Sequence, residues 1–120
     1  MEITTGPQTV TATGPLAGTL DTSALTVRPV IRLIIPALTA GATARIAIED
    51  TASSTEFSDA QAVAVFDVTG PIGDPDEVEL SITPDLTPSM RFGATHNQLR
   101  ANVTQLTGSS PSLTAHAFAT

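Results

Sequence analysis

The 120-residue chain contains no cysteine, tryptophan, tyrosine or lysine. Without cysteine, the chain can be neither a small secreted scaffold held by disulfides nor a structural zinc site built on thiolates. Without lysine, it offers no phosphate-loop lysine and no amine for Schiff-base chemistry. These absences remove several common classes of enzyme and of small extracellular domain.

Signals for export or membrane insertion are also missing from the sequence. Residues 1–7 have neither the basic region nor the apolar stretch of a signal peptide. The longest apolar patch, residues 30–38, is interrupted by Arg32 and Pro36 and is far too short to span a bilayer. We therefore expect a soluble protein made in a cytoplasm, with no membrane partner.

Charge is distributed in blocks along the chain. The net charge is −7, from twelve acids and five arginines. Residues 1–48 sum to about +1, residues 49–85 hold ten acids and no arginine, and residues 86–120 add only Arg91 and Arg100. A nucleic-acid-binding protein needs a basic surface, and the acidic middle would repel phosphate, so no nucleic-acid partner is expected.

Apolar residues recur with a period of two, which is typical of β-strands. In residues 43–49 this alternation places Ala44, Ile46 and Ile48 on one face. Residues 63–68 are apolar on both faces for most of their length, so we expect that strand to be covered on both sides. The other predicted strands are residues 9–13, 30–35 (read in the same way as 63–68), 77–83, 90–94, 99–104 and 113–118.

Glycine and proline separate these strands at roughly the 8–12-residue spacing of all-β domains. The prediction is a single antiparallel β-sandwich, Ig-like or jelly-roll-like, of about seven to eight short strands over residues 1–120. Residues 1–8 could form an extended N-terminal arm. Small inward residues would let the sheets approach closely and offset the shortage of aromatic residues: Ala44, Ala64, Ala101 and Ala117.

Candidate catalytic and metal-binding groups are few. Serine-based hydrolysis needs a positioned histidine, only His96 and His116 are available, and no G-x-S-x-G motif is present. The acidic turn at residues 73–79 suits Ca²⁺ by ligand type but lacks the spacing of an EF-hand loop. A solvated turn is the favoured interpretation, with Ca²⁺ binding left open. We predict no enzyme, no catalytic or metal residues and no cofactor.

The two ends of the chain carry almost no charge. Residues 4–20 and 101–120 contain no charged residue, and uncharged edge strands invite association with other strands. Either these ends are covered, by each other or by a partner, or their threonine and serine hydroxyls solvate them well enough. Both interpretations remain open from the sequence.

The last part of the chain, LRANVTQLTGSSPSLTAHAFAT, resembles the closing segment of small β-sandwich virion proteins of tailed bacteriophages. There the pattern is R-x-N-V-T-x-[IL]-[ST]-G-[ST]-x-P-S-[LV]-T. It is specific over about the last twenty residues and general over the rest. The residues that match it are Arg100, Asn102, Val103, Thr104, Leu106, Gly108, Pro111, Ser112, Leu113 and Thr114.

The resemblance implies a structural component of a phage particle, most like a capsid decoration (cement) protein. Such a protein sits on the outer surface of the capsid and braces contacts between major capsid protein subunits, often as a trimer. We expect a homo-oligomer with the major capsid protein as its partner. The residues expected to bind that partner are Arg91, Arg100, Asn102, Thr104 and His116.

Two alternatives remain. One is a tail or baseplate component, and the other is a carbohydrate-binding β-sandwich used in host attachment. The absence of tryptophan and tyrosine counts against sugar binding, because aromatic rings commonly contact sugar faces. Asn102 to Thr104 form a glycosylation triplet, but a chain without an export signal has no use for it. We interpret residues 99–118 instead as a β-hairpin, with its loop at 107–111, that forms an adhesive edge.

Overall fold

The computed structural model describes residues 1–21, 30–50, 61–73, 76–83 and 98–120. These residues form nine β-strands and contain no helix, so no helix among them could cross a membrane. The predicted strand at residues 90–94 lies outside the described residues. The strands are β1 (Gln8–Val10), β2 (Gly14–Pro15), β3 (Leu20–Asp21), β4 (Ile31–Leu38), β5 (Thr43–Asp50), β6 (Gln61–Thr69), β7 (Val78–Ile82), β8 (Gln98–Thr107) and β9 (Leu113–Ala119).

The strands form two antiparallel sheets that share one core, which confirms the all-β prediction. Sheet I has the order β1-β9-β4-β7, and sheet II has the order β2-β8-β5-β6 with β3 also paired to β8. The pairs are nested along the chain: β5 with β6, β4 with β7, β2 and β3 with β8, and β1 with β9. The first strands therefore pair with the last ones.

The period-two pattern places the expected side chains in the core. Residues of both sheets alternate inward, and the four predicted small residues lie among them at 5% exposure or less. Because these alanines are small, the two sheets can lie close together. The space between them is filled by aliphatic side chains and, among the described residues, one buried aromatic ring, that of Phe66. The inward set includes Ile31, Leu33, Ile35, Ala44, Ile46, Ile48, Ala64, Phe66, Leu99, Ala101, Val103, Leu113, Ala115 and Ala117.

Strand β6 differs from its prediction. It lies at the edge of sheet II, and the side chain of Val65 on its outer face is 44% exposed. Only the inner face, with Ala64, Phe66 and Val68, is buried. The expectation of cover on both sides was wrong because β-branched residues favour any pleated strand, whether or not its outer face is covered.

Residues 99–118 do not form a hairpin. Strand β8 belongs to sheet II and β9 to sheet I, so the connection between them crosses from one sheet to the other. The crossing is tight, because a Cβ at Gly108 would lie 3.0 Å from Cα of Ala42, and Gly108 has a φ of 127°. The hairpin prediction failed because alternation fixes which face of a strand is buried but not which sheet it joins.

The N-terminal strap, defined as residues 1–7, ties the two sheets together. The backbone N–H groups of Ile3 and Thr4 donate to the Ala117 carbonyl at 2.8 and 3.3 Å, and the Thr4 hydroxyl accepts from the Ala117 N–H. The Thr5 N–H donates to the carbonyl of Ala17. The preceding residue, Leu16, donates its N–H to the Ala101 carbonyl of β8, so this contact connects the strap to sheet II. Ile3 is only 1% exposed, so the strap closes one side of the core.

Replacing Ile3 with alanine should therefore destabilise the whole domain. Loss of a buried isoleucine beyond its β-carbon typically lowers the free energy of unfolding by about 2–4 kcal/mol. Thermal or urea unfolding followed by circular dichroism measures this change. Ile34→Ala, at a half-buried outer position of β4, is the matched control and should be affected less. An equal or smaller loss for Ile3→Ala would mean that the strap does not contribute to the core.

Candidate interaction surfaces

The structure separates the residues predicted to bind a partner. Arg100, Asn102 and Thr104 lie along β8 in sheet II, whereas His116 lies on β9 in sheet I. Arg91 lies outside the described residues. The four described residues thus belong to the outer faces of two different sheets, and they do not form one cluster.

On the outer face of sheet II, Glu49 accepts hydrogen bonds from two of the residues that were predicted to bind a partner. The register of β5 and β8 places Glu49 opposite Arg100. The Arg100 Nε donates to one carboxylate oxygen of Glu49 at 2.9 Å, and the Asn102 side-chain amide donates to the other at 3.2 Å. The side chains of Arg100 and Glu49 are only 22% and 16% exposed. Partial burial reduces screening by solvent, so this cluster is a fixed polar feature.

The second arginine of this face is also paired. Arg45 donates from Nε to the Asp67 carboxylate at 2.8 Å, with the two side chains 50% and 65% exposed. This hydrogen bond raises the pKa of Arg45 above its usual value. Thr104 is exposed beside this pair, and its hydroxyl lies 3.4 Å from the Arg45 carbonyl. On this face, each of the two described arginines therefore contacts a carboxylate.

On the outer face of sheet I, His116 joins β9 to the N-terminal strap. Its Nε2 contacts the Glu2 carboxylate, which also accepts from the Gly6 N–H at 2.9 Å. The imidazole packs against Phe118, with ring centroids 4.0 Å apart. As the alternation predicts, His116 lies on the face opposite Ala115 and Ala117, and its side chain is 17% exposed. His116 thus fastens the strap.

These contacts change the ionisation of Glu2. The hydrogen bond from His116, followed by that from the Gly6 N–H, holds the pKa of Glu2 below its usual value of 4.5. A carboxylate with a lowered pKa stabilises the folded state at pH values above its unfolded pKa. That contribution is lost as the pH falls through the lowered pKa.

Chain topology gathers the two uncharged ends on one side of the molecule. Strands β1 and β9 lie together in sheet I, β2, β3 and β8 lie together in sheet II, and the strap connects the two groups. We call these strands, with the strap, the terminal side. Its charged residues are Glu2, Asp21 and Arg100, and its remaining ionisable side chain is His116.

The acids of the middle of the sequence that the structure describes do not form one surface. Glu49, Asp50 and Asp67 lie on β5 and β6 of sheet II, whereas Glu79 lies on β7 at the edge of sheet I. Asp50 is buried and Glu79 pairs with Arg32. Strand pairing distributes the block over two sheets because β5 and β6 belong to sheet II and the next strand, β7, belongs to sheet I.

The candidate Ca²⁺ turn is described only in part. Asp74 and Pro75 lie outside the described residues. Within the residues that the structure describes, no group of three or more histidine, aspartate or glutamate side chains is placed to hold a metal ion. Asp76 and Glu77 are exposed. Ca²⁺ binding at this turn therefore stays an open alternative.

Two residues that organise these surfaces, Glu49 and Glu2, were not predicted from the sequence. Glu49 contacts residues 51 and 53 positions away, and Glu2 contacts a residue 114 positions away. Alternation correctly assigns Glu49 to the outer face of its strand, but no local signal specifies its neighbour across the sheet.

Comparison of the chain with protein-family models, curated proteins and solved structures found no match in any of the three.

Replacing Glu49 with glutamine should destabilise the domain more than breaking the exposed pair on the same face. Losing a hydrogen-bonded charge next to a partly buried arginine should lower the free energy of unfolding by about 1.5–3 kcal/mol. Asp67→Asn, the matched control, should leave that free energy within measurement error because exposed pairs contribute little. Urea unfolding of both variants measures the difference. Equal effects would show that Glu49 is no more important than a surface charge.

Replacing His116 with alanine should raise the pKa of Glu2 towards 4.5, because the hydrogen bond that makes the largest contribution to the lowering is removed. A smaller lowering should persist from the Gly6 N–H. Titration of the Glu2 side-chain carboxyl carbon by NMR measures the shift. Thr114→Ala, on the same strand but bonded to Thr9, should leave the Glu2 pKa unchanged. An unchanged pKa in His116→Ala would contradict the proposed fastening role.

Proposed function

We propose that this chain is a structural virion protein of a tailed bacteriophage. In this role it binds the outside of the assembled capsid as a decoration protein and stabilises contacts between major capsid protein subunits. It acts without catalysis, cofactor or metal. Its location is the outer surface of the capsid, after synthesis in the cytoplasm of the bacterial host.

The observation that carries this proposal is the terminal side. Segments that lie at opposite ends of the sequence combine into one nearly uncharged surface rich in threonine and alanine, while most described carboxylates lie elsewhere. Interfaces between proteins are depleted of acids and lysine at their centre. A net charge of −7 keeps the free protein soluble and disfavours contact with packaged DNA. The terminal side is therefore the proposed contact with the capsid.

The resemblance of the last twenty residues to phage virion proteins also supports the virion role. The strand order is compatible with that role. We propose that the two sheets form a jelly-roll-like sandwich, in preference to an Ig-like one. The support is the nested pairing, in which the chain behaves as one long hairpin wrapped into two sheets. Jelly rolls occur in viral capsid and lectin domains, so the fold is compatible with the function without establishing it.

The residues first expected to bind the partner take different parts in this proposal. Thr104 is exposed and can contact a capsid subunit directly. Arg100, Asn102 and His116 are half-buried and bonded to carboxylates of their own chain, so they act by holding the surface in shape. An Arg100→Glu variant would place two carboxylates together and disturb the fold, so exposed threonines make better test positions.

Co-sedimentation with capsids tests the proposal. Purified protein is mixed with undecorated shells, immature and mature, of the phage that encodes the chain, and the bound fraction is measured after centrifugation. We expect saturable binding to mature shells. Absence of binding to both kinds of shell would overturn the decoration role.

Two double variants locate the contact. Thr11→Glu with Thr104→Glu adds two charges at exposed positions, one next to β1 and one on β8 of the terminal side, and should weaken shell binding by about tenfold or more, since buried unpaired charges are costly at interfaces. Ser81→Glu with Thr83→Glu adds the same charge at and beyond β7, and should change binding less than twofold. The reverse ranking would move the contact to the other side.

Immunogold labelling of native particles separates the capsid from the tail alternative. Gold over the head supports decoration, and gold confined to the tail or baseplate would replace it with the tail assignment. The resemblance favours a trimer on the capsid, and free protein that sediments at three times 12.3 kDa would support that state against the dimer inferred below.

A further inference from the structure

Among the described residues, five strands form the edges of the two sheets, and four of them are poor templates for another strand. Strand β1 has three residues, and β2 and β3 have two each. Strand β7 has five residues and carries Glu79, with Glu77 next to it. Short length and charge are common protections against edge-to-edge pairing.

Strand β6 has neither protection. It is nine residues long, with a β-bulge at Val63 and regular pairing from Ala64 to Thr69, and within the described part of the chain its one neighbouring strand is β5. Its sequence, QAVAVFDVT, contains one charged residue, Asp67, and that carboxylate is already paired with Arg45 of β5. A long, β-branched edge strand without free charge is a strong template for a further strand.

From this edge we infer that two copies of the chain associate by antiparallel pairing of their β6 strands around a two-fold axis at Val65. The association would extend sheet II of one copy into sheet II of the other. This inference does not depend on the proposed virion function, because it concerns the purified protein alone.

The sequence of β6 suits pairing with itself in this register. A two-fold axis at Val65 places each Val65 opposite its copy and covers a side chain that is 44% exposed in the single chain. Cross-strand partners lie on the same face of a sheet, so the inward residue Ala64 meets Phe66 of the partner subunit, a small residue opposite a large one. The buried faces of both copies then lie on the same side of the joined sheet.

Charge also favours this register. Asp67 lies at the β-bulge of the second copy, around Val63, and the two Asp67 side chains are separated by four residues along the strands, about 13 Å. An axis at Asp67 would instead bring the two carboxylates directly together, which is destabilising. On the outer face, the row formed by Asn102, Ala47 and Val65 continues into the same row of the second copy without any charge.

Edge pairing of two nine-residue strands buries less surface than a standard protein interface, so the dimer should be weak, with a dissociation constant of about 0.1 mM. Sedimentation equilibrium of the wild-type protein should show a concentration-dependent species of twice 12.3 kDa. A protein that stays monomeric up to about 1 mM would overturn the inference. A concentration-dependent trimer without a dimer would also overturn it.

Complementary charges at position 65 test the axis. Val65→Lys and Val65→Glu should each raise the dissociation constant about tenfold or more, because each places like charges opposite one another. An equimolar mixture of the two variants should dimerise again, at least as tightly as wild type. Recovery requires residue 65 to face its own counterpart, which holds only for the proposed register.

Thr43→Lys and Thr43→Glu are the matched controls. Thr43 is exposed on the outer face of β5, an internal strand of the same sheet, so the same charges there should leave dimerisation unchanged, alone or mixed. Circular dichroism and thermal unfolding establish that all four variants are folded. A dimer that survives Val65→Lys in folded protein, or one abolished equally by Thr43→Lys, would place the interface elsewhere and overturn the inference.

Discussion

The pairing of the first strands with the last is the constraint on which the rest of this molecule depends. The strap and β1 lie against β9, while β2 and β3 lie against β8, so both C-terminal strands have neighbours on each side. Because the chain has few large aromatic side chains, its core must be filled by aliphatic ones. The pairing of the chain ends adds Ile3 and Leu16 to that core. The same pairing gives β8 and β9 neighbours from the N-terminal end of the chain, while β1, β2 and β3 stay at the sheet edges.

Closure also explains why the surface charges are arranged as rows of local pairs. Because β8 lies beside β5, its outward side chains lie next to those of β5. Glu49 of β5 therefore accepts hydrogen bonds from both Arg100 and Asn102 of β8. On the other sheet, His116 meets Glu2 because the strap runs beside β9. The three arginines in the described part of the chain are thus each paired with a carboxylate of the same copy.

Much of the fold could be predicted from the sequence because burial in a strand is a local property. Alternation identified the inward residues of β5, β7, β8 and β9 and the small residues that let the sheets approach. It could not assign strands to sheets, since β8 and β9 alternate in the same way whether they form a hairpin or face each other across the core. The candidate site failed for the same reason. Arg100 and His116 are close in sequence, but only long-range pairing shows that they belong to different faces.

The same physical reasoning moves the adhesive edge from the C-terminal strands to β6. An edge strand needs unpaired backbone groups, and in the closed fold β8 and β9 have partners on both sides. The long exposed edge is instead β6, which pairs with β5 as the innermost strand pair along the chain. The described residues place no strand on the other side of β6. Nesting therefore places short strands from the N-terminal end at the sheet edges, whereas the longest described edge strand, β6, comes from the centre of the sequence. A protein arranged in this way can present its terminal side to one partner while β6 remains accessible to another.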